Sequence, residues 1–384
     1  MGKMSIGIIG CGVISEIYLK NLTTIFADYI SVVACADRFP EVAKLRAEQF
    51  GVAMLSVEEL LADPAIEMVI NLTAPDGHYE INKRALFSGK HVYCEKPLAL
   101  TVAEGRELLD IAREERLYIA AAPDTFLGAG LQTGRAIIDS GEIGEPVGAY
   151  GFLLSRGPES FHPNPSFFYQ QGAGPLFDMG PYYFTALTAL LGPAVRIGAM
   201  ARCHTPVRRV QNQNSALYDT AFVSQVDTFV NATVEFKNGC IANVTTGWEM
   251  PFPYWEAGLP QLIIYGTKGS LVLPDPNSFG GIAPSPFGEE PGRYLILKKG
   301  TEKPYELPVK TGFLQNSRGL GAVDMAMAIK ERRPSGVSAE MALHVLEMMS
   351  GTLEAATENK YYQMTTTCKK PVYLNELLLK SCED

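Results

Sequence analysis

The chain has 384 residues, 47% of them hydrophobic, which is enough for two ordinary domains each burying its own core. A formal net charge of -9 and a pI near 5.3 exclude the electrostatic attraction that nucleic acids and anionic membrane surfaces depend on, so neither is expected as a partner. The seven cysteines, at 11, 35, 94, 203, 240, 368 and 382, are odd in number and contain no Cys-x-x-Cys pair, so neither a disulfide framework nor a zinc knuckle is implied.

Met1 to Tyr18 has a lysine followed by an apolar run, in the manner of a signal peptide, but its glycines fit a strand-turn-helix unit better. The most apolar stretch, Phe184 to Ala201, is broken by Gly192, Pro193 and Arg196, so no transmembrane helix is expected and a cytoplasmic location is. Ser5 to Ile9 is a short apolar run ending in Gly10-Cys11-Gly12-Val13-Ile14-Ser15, after which Glu16 to Asp28 is expected to be helical. Strand Ser31 to Ala36 follows, ending in Asp37, then helix Glu41 to Phe50 and strand Met68 to Leu72. Gly77 to Ser88 reads as a helix, Lys90 to Cys94 as a strand, Val102 to Arg116 as a helix and Tyr118 to Ala122 as a strand. This alternation predicts parallel βαβ winding, a doubly wound Rossmann domain over residues 1–123.

Within that alternation the glycine turn has a chemical reading. The first glycine permits a tight turn, the second lets backbone approach a pyrophosphate, and small Ser15 lets helix pack on strand, with the phosphate at the positive helix end. Asp37, 22 residues after Ser15, would accept hydrogen bonds from adenosine ribose hydroxyls, which favours NAD; Arg38 beside it keeps NADP open. A doubly wound domain for some other nucleotide, or for none, is the alternative at this point, and an adenosylmethionine methyltransferase also carries a glycine-rich turn and an acidic residue.

From Asp124 onward the pattern shifts to longer β runs, and residues 124–384 are expected to form an α+β domain with a large, mostly antiparallel open sheet. Val147 to Ser155, Val195 to Cys203, Val226 to Phe236, Cys240 to Trp248, Gln261 to Tyr265 and Tyr294 to Lys298 are the strand candidates, with Asn238-Gly239 marking a type I′ hairpin. Ala129 to Ser140, Pro175 to Leu191, Asn316 to Arg332 and Ala339 to Glu358 are the helices. No ligand cluster demands a metal: His91 with Cys94, and Cys203 with His204, sit in strand patterns that point alternate residues to opposite faces.

Strand His91 to Cys94 runs into Glu95-Lys96-Pro97, placing a charged pair where open α/β sheets bind ligands. With the glycine turn, Thr73-Ala74-Pro75 and His78, Gly89-Lys90-His91-Val92, and Gly172 to Gly180, the chain resembles the glucose-fructose oxidoreductase, inositol dehydrogenase and rhizopine-catabolism (Gfo/Idh/MocA) family over almost its whole length. The resemblance implies an NAD(P)-dependent dehydrogenase acting on a secondary hydroxyl of a sugar, sugar derivative, glycoside or cyclitol. It implies that Glu95 and Lys96 contact the nicotinamide end and the reacting hydroxyl, that Asp124 lies near the nicotinamide ribose, and that the open sheet joins subunits into a homodimer or homotetramer. Thr73 and Pro75 belong to the cofactor loop, and His78 either caps it or lies near the cofactor.

Asp178 and Tyr182, four residues apart, share a helical face. The family pattern there is Asp followed by His, so Tyr182 is a departure. A phenol of ordinary pKa about 10 is a poor base unless an ammonium such as Lys96 lowers it. Lys96, Asp178 and Tyr182 are therefore the candidate catalytic groups, with His162 in the aromatic loop as the competing base. Arg156, His162, Tyr183, Trp248 and Trp255 are candidate substrate contacts, since carbohydrates bind polar side chains and pack CH faces on aromatics. The stretch Met250 to Pro260 reads as a lid or an oligomer contact. Two other functions share these features: a glycosidase that oxidises its substrate transiently with tightly held NAD, and a dinucleotide-binding redox sensor.

Overall fold

A computed structural model of the chain describes residues 2–252, 261–283, 292–310, 312–374 and 378–379. Two compact units result: residues 1–128, 311–346 and 371–384 in one, residues 129–310 and 347–370 in the other.

The first unit alternates strand and helix as its sequence predicts, with β3 and α3 as additions beyond the expected elements: β1 (Met4–Ile9), α1 (Val13–Thr23), β2 (Ile30–Ala36), α2 (Pro40–Phe50), β3 (Ala53–Met54), α3 (Val57–Ala62), β4 (Met68–Asn71), α4 (Pro75–Phe87), β5 (His91–Cys94), α5 (Val102–Glu114) and β6 (Ile119–Ala121). The strands form one parallel sheet in the order β3-β2-β1-β4-β5-β6. All four β4 residues are buried, as a sheet covered by helices on both faces requires, and the three apolar ones, Met68, Val69 and Ile70, each contribute about 1.5–3 kcal/mol. Ser56 and Thr101 each open a helix with a capping box closed by Glu59 and Glu104. Helix α4 begins two residues earlier than expected, because Pro75 is suited to a first helical position where no N–H is needed.

In the second unit lie α6 (Ala129–Asp139), β7 (Pro146–Leu154), α7 (Gly174–Leu191), β8 (Ala194–Arg202), β9 (Val207–Arg209), β10 (Ala221–Val223), β11 (Phe229–Phe236), β12 (Ile241–Gly247), β13 (Leu262–Gly266), β14 (Gly269–Leu273), β15 (Tyr294–Lys299) and β16 (Tyr305–Pro308). Helix α8 (Leu320–Glu331) belongs to the first unit, α9 (Ala339–Glu358) contributes to both, and β17 (Tyr362–Gln363) closes the second. The large sheet runs β16-β15-β14-β13-β7-β12-β11-β8-β17, antiparallel except for the parallel pair β7 and β12. Helix α7 lies on β7, its Tyr183 hydroxyl donating to Phe152 O at 2.7 Å. Glu347 ties down the segment after β17 by accepting hydrogen bonds from Tyr362, Thr365 and Thr366.

Two expectations are corrected. The β11–β12 hairpin exists, but its turn is not type I′: of Asn238 and Gly239 only Gly239 has a positive φ (87°), and Gly239 N–H donates to Phe236 O at 2.8 Å. That is a three-residue loop with glycine in the left-handed position. Helix α8 starts at Leu320 rather than Asn316, because the Asn21 amide donates to the carbonyls of Asn316 and Arg318 and holds that segment out of the helix.

Candidate active site

The glycine turn leaves β1 at Gly10, whose φ of +101° is a left-handed conformation reserved for glycine and whose missing Cβ would meet the backbone of Leu72 at 2.5 Å. Gly10 N–H donates to Ala36 O at 2.8 Å and Cys11 N–H to Asp37 Oδ2 at 2.7 Å, while Phe39 N–H donates to Asp37 Oδ1 at 2.9 Å. One carboxylate thus fastens the turn to the end of β2, and its remaining lone pairs are acceptors. Beyond Gly12 a Cβ would meet nothing within 4 Å, and Val13 beside it is exposed while Ile14 is half-buried. Gly10, Gly12, Asp37, Arg38, Thr73 and Ala74 line a cavity of about 580 Å³. Arg38 stacks its guanidinium over Phe39, 4.8 Å from the ring centre.

The far wall is built by hydrogen bonds. Thr73 donates from its N–H and its hydroxyl to Asn71 Oδ1, at 3.1 and 2.7 Å, and Asn71 donates in turn to Asn82 Oδ1 at 2.8 Å. His78 is buried with Nδ1 2.6 Å from Pro97 O and Nε2 2.9 Å from Thr73 O, so its ring ties the Thr73-Ala74-Pro75 loop to the Glu95-Lys96-Pro97 segment. Burial holds the His78 pKa below the usual histidine value, against the pull of the two carbonyls.

Glu95 is buried at the carboxyl end of β5. Its Oε1 accepts from the Tyr18 hydroxyl at 2.7 Å and its Oε2 from Lys96 N–H at 3.0 Å, so the carboxylate has one orientation; Lys96 itself is half-buried. Asp124 is buried nearby, accepting from Gly319 N–H at 2.9 Å and Gly321 N–H at 3.0 Å, and caps the start of α8. Burial pushes its pKa up to about 6, with those two N–H groups and Arg318 opposing. Sequence reasoning missed Tyr18; its only signal was an inward position on the helix after the glycine turn.

On α7, Asp178 is half-buried and Tyr182 is 8% exposed, with Tyr183 beneath them fully buried against β7. His162 is half-buried with its ring edge-on to Phe161, Phe167 and Phe168, and its Nδ1 accepts from Asn164 N–H at 3.1 Å. Arg156 is exposed and donates from Nε to Pro251 O. Trp248 is buried at 3% exposure, edge-on to Phe168. Trp255, and Met250 to Pro260 beyond residue 252, lie outside the described residues. A buried cluster unforeseen in the sequence joins these segments: Arg208 Nη1 is 2.9 Å from Glu159 Oε1, Nη2 is 2.7 Å from Glu249 Oε1, and the Tyr169 hydroxyl donates to Glu159. No signal at Arg208, Glu159 or Glu249 in the sequence announces it. Among the described residues there is no group of three or more His, Cys, Asp or Glu side chains that could hold a metal, and no helix long and apolar enough to cross a membrane.

Residues 4–122 match the model of an oxidoreductase family with an NAD-binding Rossmann fold, and residues 131–272 match the GFO/IDH/MocA C-terminal domain. The chain belongs to the Gfo/Idh/MocA oxidoreductase family. It is an oxidoreductase with an NAD-binding Rossmann domain. Among its relatives, dTDP-3,4-didehydro-2,6-dideoxy-alpha-D-glucose 3-reductase of Streptomyces violaceoruber is 28% identical over 303 residues, 78% of this chain and 79% of that protein. The 1,5-anhydro-D-fructose reductase of Ensifer adhaerens is 28% identical over 222 residues, 58% of this chain and 61% of that one. Levoglucosan dehydrogenase, solved in complex with NADH, shares the fold at a TM-score of 0.79 and 19% identity, over 95% of this chain and 100% of that structure.

Proposed function

We propose that this family member transfers a hydride between a nicotinamide and a secondary hydroxyl or its ketone, on a sugar, sugar derivative, glycoside or cyclitol. The observation that carries the reading is the Glu95 carboxylate, held by the Tyr18 hydroxyl and the Lys96 N–H at the end of β5, with the adjoining Pro97 tied through His78 to the loop that lines the cavity at the glycine turn. The close backbone passage at Gly10, the open space at Gly12 and the Asp37 carboxylate fit a dinucleotide, with Gly10, Cys11, Gly12, Val13, Ile14, Asp37, Arg38, Thr73 and Pro75 along it. NAD supplies the hydride acceptor when bound. Asp37 favours NAD over NADP, since a 2′-phosphate would meet a carboxylate.

Lys96 would stabilise the negative charge that develops on the substrate oxygen, and Tyr182 would exchange the proton. Asp178 would orient the substrate hydroxyl. In this reading residues 1–123 carry the dinucleotide, and residues 124–384 carry the substrate and self-association. The outer sheet face, where Tyr150 stacks on Phe152 and meets Tyr265 edge-on, supports assembly into a dimer or tetramer.

The experiment is absorbance of reduced nicotinamide with NAD or NADP and a panel of sugars, glycosides and inositols. Reduction by a panel member, with kcat falling about 10²–10⁴-fold in Lys96→Met and in Tyr182→Phe while NAD still binds, is the expected result. Near wild-type turnover in Tyr182→Phe removes the phenol from the proton transfer and sends the test to His162→Asn.

A further inference from the structure

Where the carboxyl ends of the parallel strands β7 and β12 lie side by side, a cavity of about 340 Å³ opens within the second unit. That is within the range of small-molecule sites. Its charged lining consists of Arg156, Glu159, Arg208 and Glu249, with Gln211 beside them and Trp248 as wall. Helix α7, which carries Asp178 and Tyr182, lies on β7, so the same strand supports the proposed catalytic helix on its face and delivers Arg156 beyond its end.

These groups are unequally engaged. Arg208 donates to Thr205 O, Glu159 and Trp248 O, and pairs with Glu249. Glu159 is taken on both oxygens, by Arg208 and by Tyr169. At Glu249 the His204 and Thr205 N–H groups, the Thr228 hydroxyl and Arg208 all converge on Oε1, which leaves Oε2 with the greater share of free lone pairs. Arg156 uses Nε for Pro251 O, and among the described residues its two Nη groups take no partner. The Gln211 amide side chain likewise takes none among them, only its backbone N–H being bonded, to Glu159 O.

The available groups are therefore guanidinium donors, one carboxylate oxygen and one amide, while the two cations and two carboxylates of the lining cancel. Adjacent hydroxyls satisfy such a mixture, because each is donor and acceptor at once. A phosphate or carboxylate gains Arg156 but meets Glu249, and brings an uncompensated charge into a partly dehydrated site. We infer that Arg156 and Glu249 are specificity-determining residues: the cavity takes the part of the substrate remote from the reacting carbon, admits an uncharged ring with neighbouring hydroxyls, and turns away phosphate, diphosphate and carboxylate. The inference rests on the hydride-transfer reading above. It separates this chain from its Streptomyces relative, whose named substrate is a dTDP-sugar.

The test uses the full-length protein with NAD and matched pairs of probes: glucose against glucose 6-phosphate and glucuronate, and myo-inositol against inositol 1-phosphate. Turnover is followed by absorbance and binding to the NAD-loaded protein by calorimetry. The uncharged member of each pair is expected to be preferred about 100-fold in kcat/KM or in affinity. Glu249→Gln, which keeps an oxygen acceptor for Thr228 and Arg208, should raise KM for the uncharged member about tenfold and narrow its advantage over the phosphate. Arg156→Gln, at an exposed position, should raise KM for the uncharged member without narrowing it.

Preference of the wild-type protein for a charged member, or an unchanged charged-to-uncharged ratio in Glu249→Gln, overturns the inference while leaving hydride transfer standing. Binding of uncharged probes with no reduction of NAD or NADP by any of them would instead sink hydride transfer and leave the charge selectivity. Binding of neither class overturns the assignment of the cavity.

Discussion

In the first unit, the groups facing the cavity at the glycine turn come from short stretches at spacings set by strand-turn-helix geometry, and most of the polar contacts within the turn are made by backbone N–H groups. In the second, Arg208 gathers Glu159 from 49 residues away and the Trp248 carbonyl from 40 residues away, together with Tyr169 and Glu249, and every contact is made by the Arg208 side chain. The difference lies in where tolerance resides. The glycine turn depends on its backbone path, whereas the Arg208 cluster depends on one cation shared by two carboxylates.

Removing the arginine should therefore give the largest effect. Arg208→Met leaves Glu159 and Glu249, with side chains 2% and 12% exposed, without their common cation. Uncompensated buried charge of this kind costs about 3–5 kcal/mol. Urea unfolding at pH 7 should show that loss, the double variant Glu159→Gln with Arg208→Met should recover part of it, and NAD affinity should stay near wild type. A loss below about 1 kcal/mol would mean that the cluster is held by packing rather than by charge.

Asp124 sharpens the comparison, because it is a buried carboxylate in the first unit that accepts from the backbone N–H groups of Gly319 and Gly321, with the half-buried Arg318 as its nearby cation. Its pKa stands near 6 in the folded protein, against about 3.9 for an ordinary aspartate in the unfolded chain. Between about pH 4 and pH 6 the folded state thus holds a proton that the unfolded state has released, so stability falls as pH rises through that window and is level above it. The fall should be about 2–3 kcal/mol. Asp124→Asn cannot titrate, so urea midpoints at pH 4.5, 5.5 and 7 should lose this component. Parallel pH profiles for the two proteins would place the titration on another group.

The same contrast explains what could be read from the chain. The parallel sheet, the glycine turn, Asp37 and the Glu95-Lys96 pair were legible because local periodicity and short spacings encode them, and the long strands of the second sheet were legible for the same reason. Strand β3 has two residues and β9, β10 and β17 two or three, too few for alternation to show. The parallel pairing of β7 with β12 and the meeting of Glu159, Arg208 and Glu249 are set by topology, and nothing near those residues records it. Tyr18 carries an intermediate case: its helix was expected, but its hydrogen bond to Glu95, 77 residues on, depends on how α1 lies against β5.

A modest effect on stability, and the most selective one on function, is expected at Gly10. An alanine there must hold φ near +101° or move, and its Cβ would meet Leu72 backbone atoms at 2.5 and 2.6 Å and Thr73 N at 2.6 Å. The strained conformation costs about 1–3 kcal/mol, which the fold can partly relieve by displacing the Leu72–Thr73 segment. That segment lines the cavity at the glycine turn and is tied through His78 to Pro97, so relief of strain moves the walls against which, on the proposed function, a dinucleotide would rest. Gly10→Ala should consequently unfold within about 3 kcal/mol of wild type yet lose NAD affinity at least about tenfold, measured by quenching of intrinsic fluorescence. Gly12→Ala is the control, because its Cβ meets nothing in the protein. It should leave stability alone and weaken NAD only through contact with the bound dinucleotide. Equal NAD affinities in wild type and both variants would mean that the dinucleotide does not approach this turn, and the contrast between backbone-built and side-chain-built sites would then lose its functional half.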